Sequence, residues 1–445
     1  MTLRFPENFL WGVSTSSYQI EGGAPDDGRG RSIWDTYCAT PGKVANGDTG
    51  EVACDHYHRY PEDLDLLRDL GAKVYRLSIM WPRVLPEGGG RINEKGLDFY
   101  DRIVDGVLER GMRAWPCLYH WDLPQALQDR GGWTNRDIAG WFTDYTALIA
   151  RRLGDRVENW VTFNEPSVSA WVGHEEGRHA PGLTDPRAAV RAAHHLNLAH
   201  GRAVAVLRDL TPRAGVGTVI PIHKARPLPQ FQERDAHLVP LFEDKWNGVF
   251  LDPIYHGRYP ASLADRFAEH VRDGDLAEIH RPIDFVGVNQ YFPSYIQECS
   301  DGAWPFKHAD PPLYFRRTEM NWAIDGHAFY EALMLVKARY GNPPVYVTEN
   351  GGAFIDVVGA DGRVDDQDRI AYYREYLIGL QRAISEGADV RGFMPWSLLD
   401  NFEWARGYAK RFGLVHVDYR TQKRTPKASF HFMREVIAEN ALPGI

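Results

Sequence analysis

Tyr60-Pro-Glu-Asp-Leu-Asp-Leu-Leu-Arg-Asp-Leu70, then Gly71, then Lys73-Val-Tyr-Arg-Leu-Ser78 hold the unit from which the whole chain is built. In the first stretch apolar residues recur at helical spacing, with Pro61 placed as at a first helical turn and Gly71 as at a helix end. The second is a short apolar run that reads as a strand and carries one arginine, Arg76. Helix, glycine stop, strand: the question is how often the pattern returns.

It returns through the full length. Short apolar runs recur at Phe9–Val13, Arg113–Leu118, Glu158–Thr162, Gly215–Ile220, Ile283–Val288, Val345–Thr348 and Val390–Met394. Helical periodicity recurs at Gly96–Arg110, Asn135–Leu153, Pro186–Leu210, Gly326–Tyr340 and Asp366–Gly387. Near-continuous apolar strands alternating with amphipathic helices predict a parallel sheet covered by helices. Eight of them predict a closed barrel rather than an open sheet. A doubly wound sheet would bring a glycine-rich phosphate turn after an early strand, and neither G-x-G-x-x-G nor G-x-x-x-x-G-K-[ST] occurs. The expected fold is α/β: a single (β/α)8 TIM barrel over residues 1–445. Its long loops (Glu21–Glu51, Gly173–Asp185, Tyr291–Thr318 and Gly351–Asp365) should lie at the C-terminal face.

Composition narrows the partners. Of 445 residues, 44% are hydrophobic and 25% charged, which excludes a disordered or fibrous chain. A net charge of −9 disfavours nucleic-acid and anionic-membrane surfaces as partners. Cys38, Cys54, Cys117 and Cys299 are too scattered for a disulfide framework or a zinc site. Pro6-Glu7-Asn8 interrupts the N-terminus before any signal-like apolar stretch, and no membrane-length apolar run follows, so a cytoplasmic location is expected. His56, His58, His194, His195 and His200 lack H-E-x-x-H spacing, and neither metal nor cofactor is expected. Gly88-Gly-Gly90 reads as a turn, and the charged run Asp361 to Arg369 as a solvated loop and helix start.

In barrels the C-terminal face carries the active site. Polar residues sit at strand ends throughout: Gln19-Ile-Glu21, Arg76, His120-Trp-Asp122, Asn164-Glu165, Asn289-Gln-Tyr291, Glu349-Asn350, and Trp396 with Asp400-Asn-Phe-Glu-Trp404. Glu165 and Glu349 each follow a Val/Thr-rich strand and should face one another across the mouth. Two such carboxyls can cleave a glycosidic bond, one protonated to donate to the leaving oxygen and one ionised to attack or stabilise the anomeric carbon. Arg76 and Tyr291 could hold one of them ionised. The bland alternative is two structural carboxylates in separate salt bridges.

Thr162-Phe-Asn-Glu-Pro166 and Val347-Thr-Glu-Asn-Gly351 resemble the two active-site signatures of glycoside hydrolase family 1, the retaining β-glucosidase family. Phe9-Leu-Trp-Gly12 through Gln19-Ile-Glu-Gly22, Tyr75-Arg-Leu-Ser78 with Trp81-Pro-Arg83, Trp396 to Trp404, and Arg411-Phe-Gly-Leu414 extend the resemblance from about Phe5 to Arg434. It implies Glu165 as acid/base and Glu349 as nucleophile, about 5–5.5 Å apart. It implies Arg76, Asn289 and Tyr291 as their support. Gln19, His120, Trp121, Asn164, Tyr291, Trp322, Trp396, Glu403, Trp404 and Phe412 are implied as substrate-binding residues. The chain departs from the pattern at Gln290, Ser167-Val168, Asn321-Trp322-Ala323 and Gly326, towards the acceptor side. A 6-phospho-β-glycosidase and a transglycosylase would use the same glutamates, and a non-catalytic sugar-binding relative would normally lack one of them.

Overall fold

Eight parallel strands close one barrel: β1 (Leu10–Ser14), β2 (Val74–Ser78), β3 (Arg113–Cys117), β4 (Asn159–Asn164), β5 (Gly215–Pro221), β6 (Phe285–Asn289), β7 (Val345–Asn350) and β8 (Val390–Pro395). The structure is a computed structural model that describes residues 3–444. Neighbours in sequence are neighbours in the barrel, and β8 closes on β1 through Gly392↔Leu10 and Phe393↔Trp11. Each of the eight apolar runs supplies one strand.

The helices between them are α1 (His56–Leu70), α2 (Glu94–Glu109), α3 (Ile138–Leu153), α4 (Pro186–Leu210), α5 (Val249–His256), α6 (Gly326–Tyr340), α7 (Gln367–Ser385) and α8 (Ala428–Glu439). Their local chemistry explains their ends. Gly71 closes α1 at φ 87°, a left-handed turn in which only glycine avoids a Cβ clash. Asp185 opens α4 by accepting from the Arg187 and Ala188 amides at 2.9 and 3.2 Å, with Pro186 as the first residue. No helix among the described residues is long and apolar enough to cross a membrane.

Three local expectations are corrected. Helix α1 starts at His56, so Pro61 is inside it rather than in its first turn; the ring lies on the exposed face, where water can serve the carbonyl it leaves unpaired. The Tyr291–Thr318 loop contains strands Ser294–Glu298 and Phe306–His308, which join Ala225–Pro227 in a three-stranded sheet over the mouth. In the run Asp361 to Arg369, Asp366 and Arg369 are buried rather than solvated, 4% and 0% exposed. They pair with one another, and groups from other segments complete the set: Asp356 binds Arg369, and Ser429 donates to Asp366. Local polarity cannot announce partners that arrive from elsewhere in the chain.

Inside the barrel Val74, Trp115, Cys117, Val161, Val219, Phe285 and Met394 fill the bore beneath the mouth. Trp115 meets Phe285 and Tyr346 at ring-centroid distances of 5.3 and 4.8 Å. Trp115→Ala should cost about 3–5 kcal/mol of stability, through lost burial and the cavity left behind. Urea unfolding followed by far-UV circular dichroism should show the lowered midpoint.

Candidate active site

The C-terminal ends of the strands open into a cavity of about 780 Å³ whose lining includes Glu165, Glu349, His120, Trp121, Tyr291, Trp396 and Glu403. Glu165 directly follows β4, and its backbone stands at φ 47°. Trp121 and Trp404 also adopt positive φ, 77° and 49°. Non-glycine residues held there cost free energy locally, and such strain gathers where function fixes a side chain's direction. Glu349 lies in β7, one residue before its end.

A continuous hydrogen-bond chain joins the two glutamates. Arg76, fully buried on β2, donates from Nη1 to Glu349 Oε1 at 2.6 Å, while the Tyr291 hydroxyl donates to Oε2 at 2.6 Å. Arg76 Nη2 donates to Asn164 Oδ1 at 2.5 Å. Asn289 Nδ2 donates to that oxygen at 3.1 Å and to Glu165 Oε1 at 2.8 Å. Thr348 donates to Asn289 Oδ1 at 2.8 Å, which fixes the direction of that amide. Glu349 thus accepts on both oxygens, the pattern of an ionised carboxylate. Burial, and then the charge of Glu349, push the Glu165 carboxyl up to about 8, against the opposing pull of Asn289 and Arg76.

Comparison with known proteins agrees. The family model described as glycosyl hydrolase family 1 matches residues 1–442. The chain is 48% identical over 444 residues to beta-glucosidase A of Thermotoga maritima, covering 99% of each. It is 44% identical to a bifunctional beta-D-glucosidase/beta-D-fucosidase of Bifidobacterium breve, covering 99% of this chain and 100% of that one. A solved family 1 b-glucosidase from Thermotoga maritima superposes with a TM-score of 0.95 at 47% identity, over 99% of this chain and 100% of the other. The chain belongs to glycosyl hydrolase family 1. It is a glycoside hydrolase with the barrel fold of its relatives.

The positions implied by the family resemblance fall into two shells of this family 1 enzyme. His120, Trp121, Glu165, Asn289, Tyr291, Trp322, Glu349, Trp396, Glu403, Trp404 and Phe412 line the cavity. Arg76, Asn164 and Gln19 are not among the lining residues. Gln19 Nε2 donates to Asn401 Oδ1 and the Phe402 carbonyl at 3.0 and 2.8 Å, so it braces the segment that carries Glu403. Two lining groups keep unused polar atoms. Asn164 Nδ2 donates to His120 Nε2 at 3.0 Å, which puts the imidazole proton on Nδ1, a buried atom with no partner. Burial and Arg76 lower the His120 pKa well below its ordinary value, keeping the ring neutral. Glu403 Oε2 is likewise buried and unpartnered, and burial with the Glu349 charge pushes this carboxyl up to about 8.

Other polar strand-end residues bind elsewhere. Glu21 accepts from Arg83 and Tyr100, and Asp122 from Ser17. The discounted histidines are held by protein groups: His56 by Asp63, His194 by Tyr259 and Asp275, His195 by the Trp133 carbonyl, and His200 by Thr162. The sequence reading named no polar group for the end of β5, yet Pro221-Ile-His223 there lines the outer cavity, where His223 and Trp246 ring centroids are 4.7 Å apart. The same strand-end signal would have found it. His179, in a loop, and His308, at the end of the short strand Phe306–His308, are also in the lining and carry no such marker.

Because Glu349 helps to keep Glu165 protonated, Glu349→Gln should lower the pH at which Glu165 titrates. Difference infrared spectroscopy of the carboxyl bands should show Glu165 losing its proton near pH 8 in the parent and at lower pH in the variant. An unchanged titration would dissociate the two groups.

Proposed function

We propose that this hydrolase is a retaining β-glucosidase in which Glu165 is the acid/base and Glu349 the nucleophile. The observation that carries the reading is that two buried glutamates share one hydrogen-bond network, Glu349 accepting from Arg76 and Tyr291 and Glu165 from Asn289. Protonated Glu165 gives its proton to the glycosidic oxygen as the Glu349 carboxylate attacks the anomeric carbon. The C–O bond to the aglycone breaks, and a glycosyl ester forms on Glu349. Esterification removes the negative charge that raised Glu165, so its proton affinity falls. Glu165 then takes a proton from water, whose oxygen attacks the anomeric carbon and frees Glu349. Two inversions leave a β product. Through both steps Arg76 and Tyr291 keep the nucleophile aimed, with Asn164 and Asn289 spanning the pair.

His120 Nδ1 supplies a donor for a sugar hydroxyl, and Glu403 Oε2 an acceptor or, when protonated, a donor. Trp396 and Trp404 add aromatic faces against apolar C–H surfaces. Contacts of this kind with O4 need not exclude one epimer, which supports side activity on β-galactosides or β-fucosides. The substrate is a β-glycoside or oligosaccharide, and residues 1–445 act as one catalytic domain. The four cysteines are unpaired and three are buried, which supports a reducing cytoplasmic setting.

Glu349→Ala should abolish turnover of every substrate. Glu165→Ala should lose far more activity on glycosides with poor leaving groups than on activated aryl glycosides, which need little acid help. Proton NMR of the fresh product should show the β anomer before mutarotation. Equal losses in Glu165→Ala on both substrate types, or an initial α product, would overturn the assignment.

The pocket should also reject a 6-phosphate. A phosphate beside Glu403 meets either a like charge, at about 1–4 kcal/mol for 4 Å separation, or a carboxyl that must stay protonated. The expected kcat/KM for a plain aryl β-glucoside exceeds that for its 6-phosphate by at least about two orders of magnitude, and Glu403→Ser should narrow the gap mainly by weakening the plain substrate. Steady-state assays of both substrates on both proteins measure it.

A further inference from the structure

Behind the cavity wall six charged side chains, all but Arg411 buried, form a charge-balanced cluster that the proposed chemistry does not use. Lys427 Nζ donates to Asp356 Oδ2 and Asp400 Oδ1 at 2.5 and 2.6 Å. Arg369 pairs with both oxygens of Asp356 at 3.0 Å and with Asp366, and Arg411 donates to Asp400 Oδ2 at 2.6 Å. Three cations face three carboxylates, and the side chains of Lys427, Arg369, Asp356, Asp366 and Asp400 have no solvent exposure or nearly none. A buried pair is poor value for stability alone, because desolvation offsets much of the Coulomb gain. Its use is better sought in what it holds still.

It holds two things, and both touch the residue that binds Glu349. The first is the turn at Phe412. Arg369 Nη2 donates to the Arg411 carbonyl at 2.8 Å, and Asp400 Oδ1 accepts the Gly413 amide at 3.0 Å, so the main chain is gripped by charge on both sides of Phe412. The turn is pressed so closely on its neighbour that a Cβ at Gly413 would stand 2.1 Å from the Asp400 nitrogen. Phe412 then presents its ring edgewise to Tyr291, centroids 6.2 Å apart at 80°. The second is the start of α7, where Arg369 is anchored. One turn and two turns further along, Tyr372 and Tyr376 donate to the Tyr291 carbonyl at 3.3 and 2.7 Å. Asn350, next to Glu349, donates to the Tyr372 hydroxyl at 3.1 Å.

We propose that Asp400, Arg369 and Lys427 are positioning residues for the nucleophile. Their cluster fixes the Phe412 turn and the start of α7, and through these it keeps the Tyr291 hydroxyl on Glu349. The inference rests on the nucleophile role proposed for Glu349. It concerns placement of a hydrogen bond, so its signature is coupling to Tyr291 rather than loss of stability.

A double-mutant cycle tests it, with kcat/KM for an aryl β-glucoside measured well below the melting temperature of each variant. Asp400→Asn keeps the shape and the Gly413 contact but removes one charge. It should lower kcat/KM at least ten-fold in the parent, and less than three-fold when Tyr291→Phe has already removed the hydroxyl. Arg411→Gln, whose side chain reaches the surface, gives a gentler arm should Asp400→Asn not fold, with a three- to five-fold loss that also shrinks in the Tyr291→Phe background. Adding Lys427→Met to Asp400→Asn restores the charge balance and should recover part of the activity. Equal losses with and without the Tyr291 hydroxyl, or a lowered melting temperature with full kcat/KM, would overturn the proposal. Loss of turnover in Glu349→Ala is the separate check on the nucleophile role itself.

Discussion

Arg76 sits in the mouth of the barrel with no solvent exposure, and its charge must be answered from within. The answer is Glu349 at 2.6 Å, supported by the side-chain oxygen Asn164 Oδ1 at 2.5 Å. Removing one partner of such a pair strands the other at a cost of about 3–5 kcal/mol, so neither residue is free to drift. The strand register makes the meeting possible: Arg76 lies level with Ser14 on β1 and Trp115 on β3, and its side chain reaches across the bore to β7. Once Glu349 is held as an anion, a second buried carboxyl nearby is easier to keep protonated than charged. Burial and the Glu349 charge raise the Glu165 carboxyl, and they do so against the direct pull of Arg76, which favours its ionised form.

The surroundings bear the cost of that arrangement. Glu165, Trp121 and Trp404 have left-handed backbones, and His120 Nδ1 and Glu403 Oε2 are buried without protein partners. Each feature lowers stability, and each leaves a direction or a polar atom available to a ligand. The supporting structure is correspondingly over-determined. Apolar rings fill the bore, Gln19 braces the Glu403 segment, and a set of six charges, five of them buried, grips the chain on both sides of Phe412.

Much of this was legible in the chain. Eight apolar runs with helical stretches between most of them led to the barrel because period and length distinguish strand from helix. Glu165 and Glu349 could be singled out because each ends a strand, and parallel barrel strands all end on one face. Arg76 stood out as a charge inside an apolar run. Harder to see were elements whose stability is not local. Helix α5 is short and has no full-length amphipathic stretch to announce it, and the strands within Tyr291–Thr318 are short, pairing with each other and, through Ser294–Ile296, with the remote Ala225–Pro227. The charged run ending at Arg369 looked solvated because its partners are Asp356 and the Arg411 carbonyl, 13 and 42 residues away.

By itself the sequence determined the class of fold and singled out Glu165 and Glu349 at strand ends, where they line one cavity, since these follow from periodicity and strand ends, which are local properties. Only the tertiary structure decided how the two glutamates are joined through Arg76, Asn164 and Asn289, that Gln19 donates to the segment carrying Glu403, and that the Asp366–Arg369 charges are interior. Those outcomes depend on distance, burial and the orientation of amides such as Asn164 and Asn289, and none of these exists until strands remote in sequence are brought within hydrogen-bond reach.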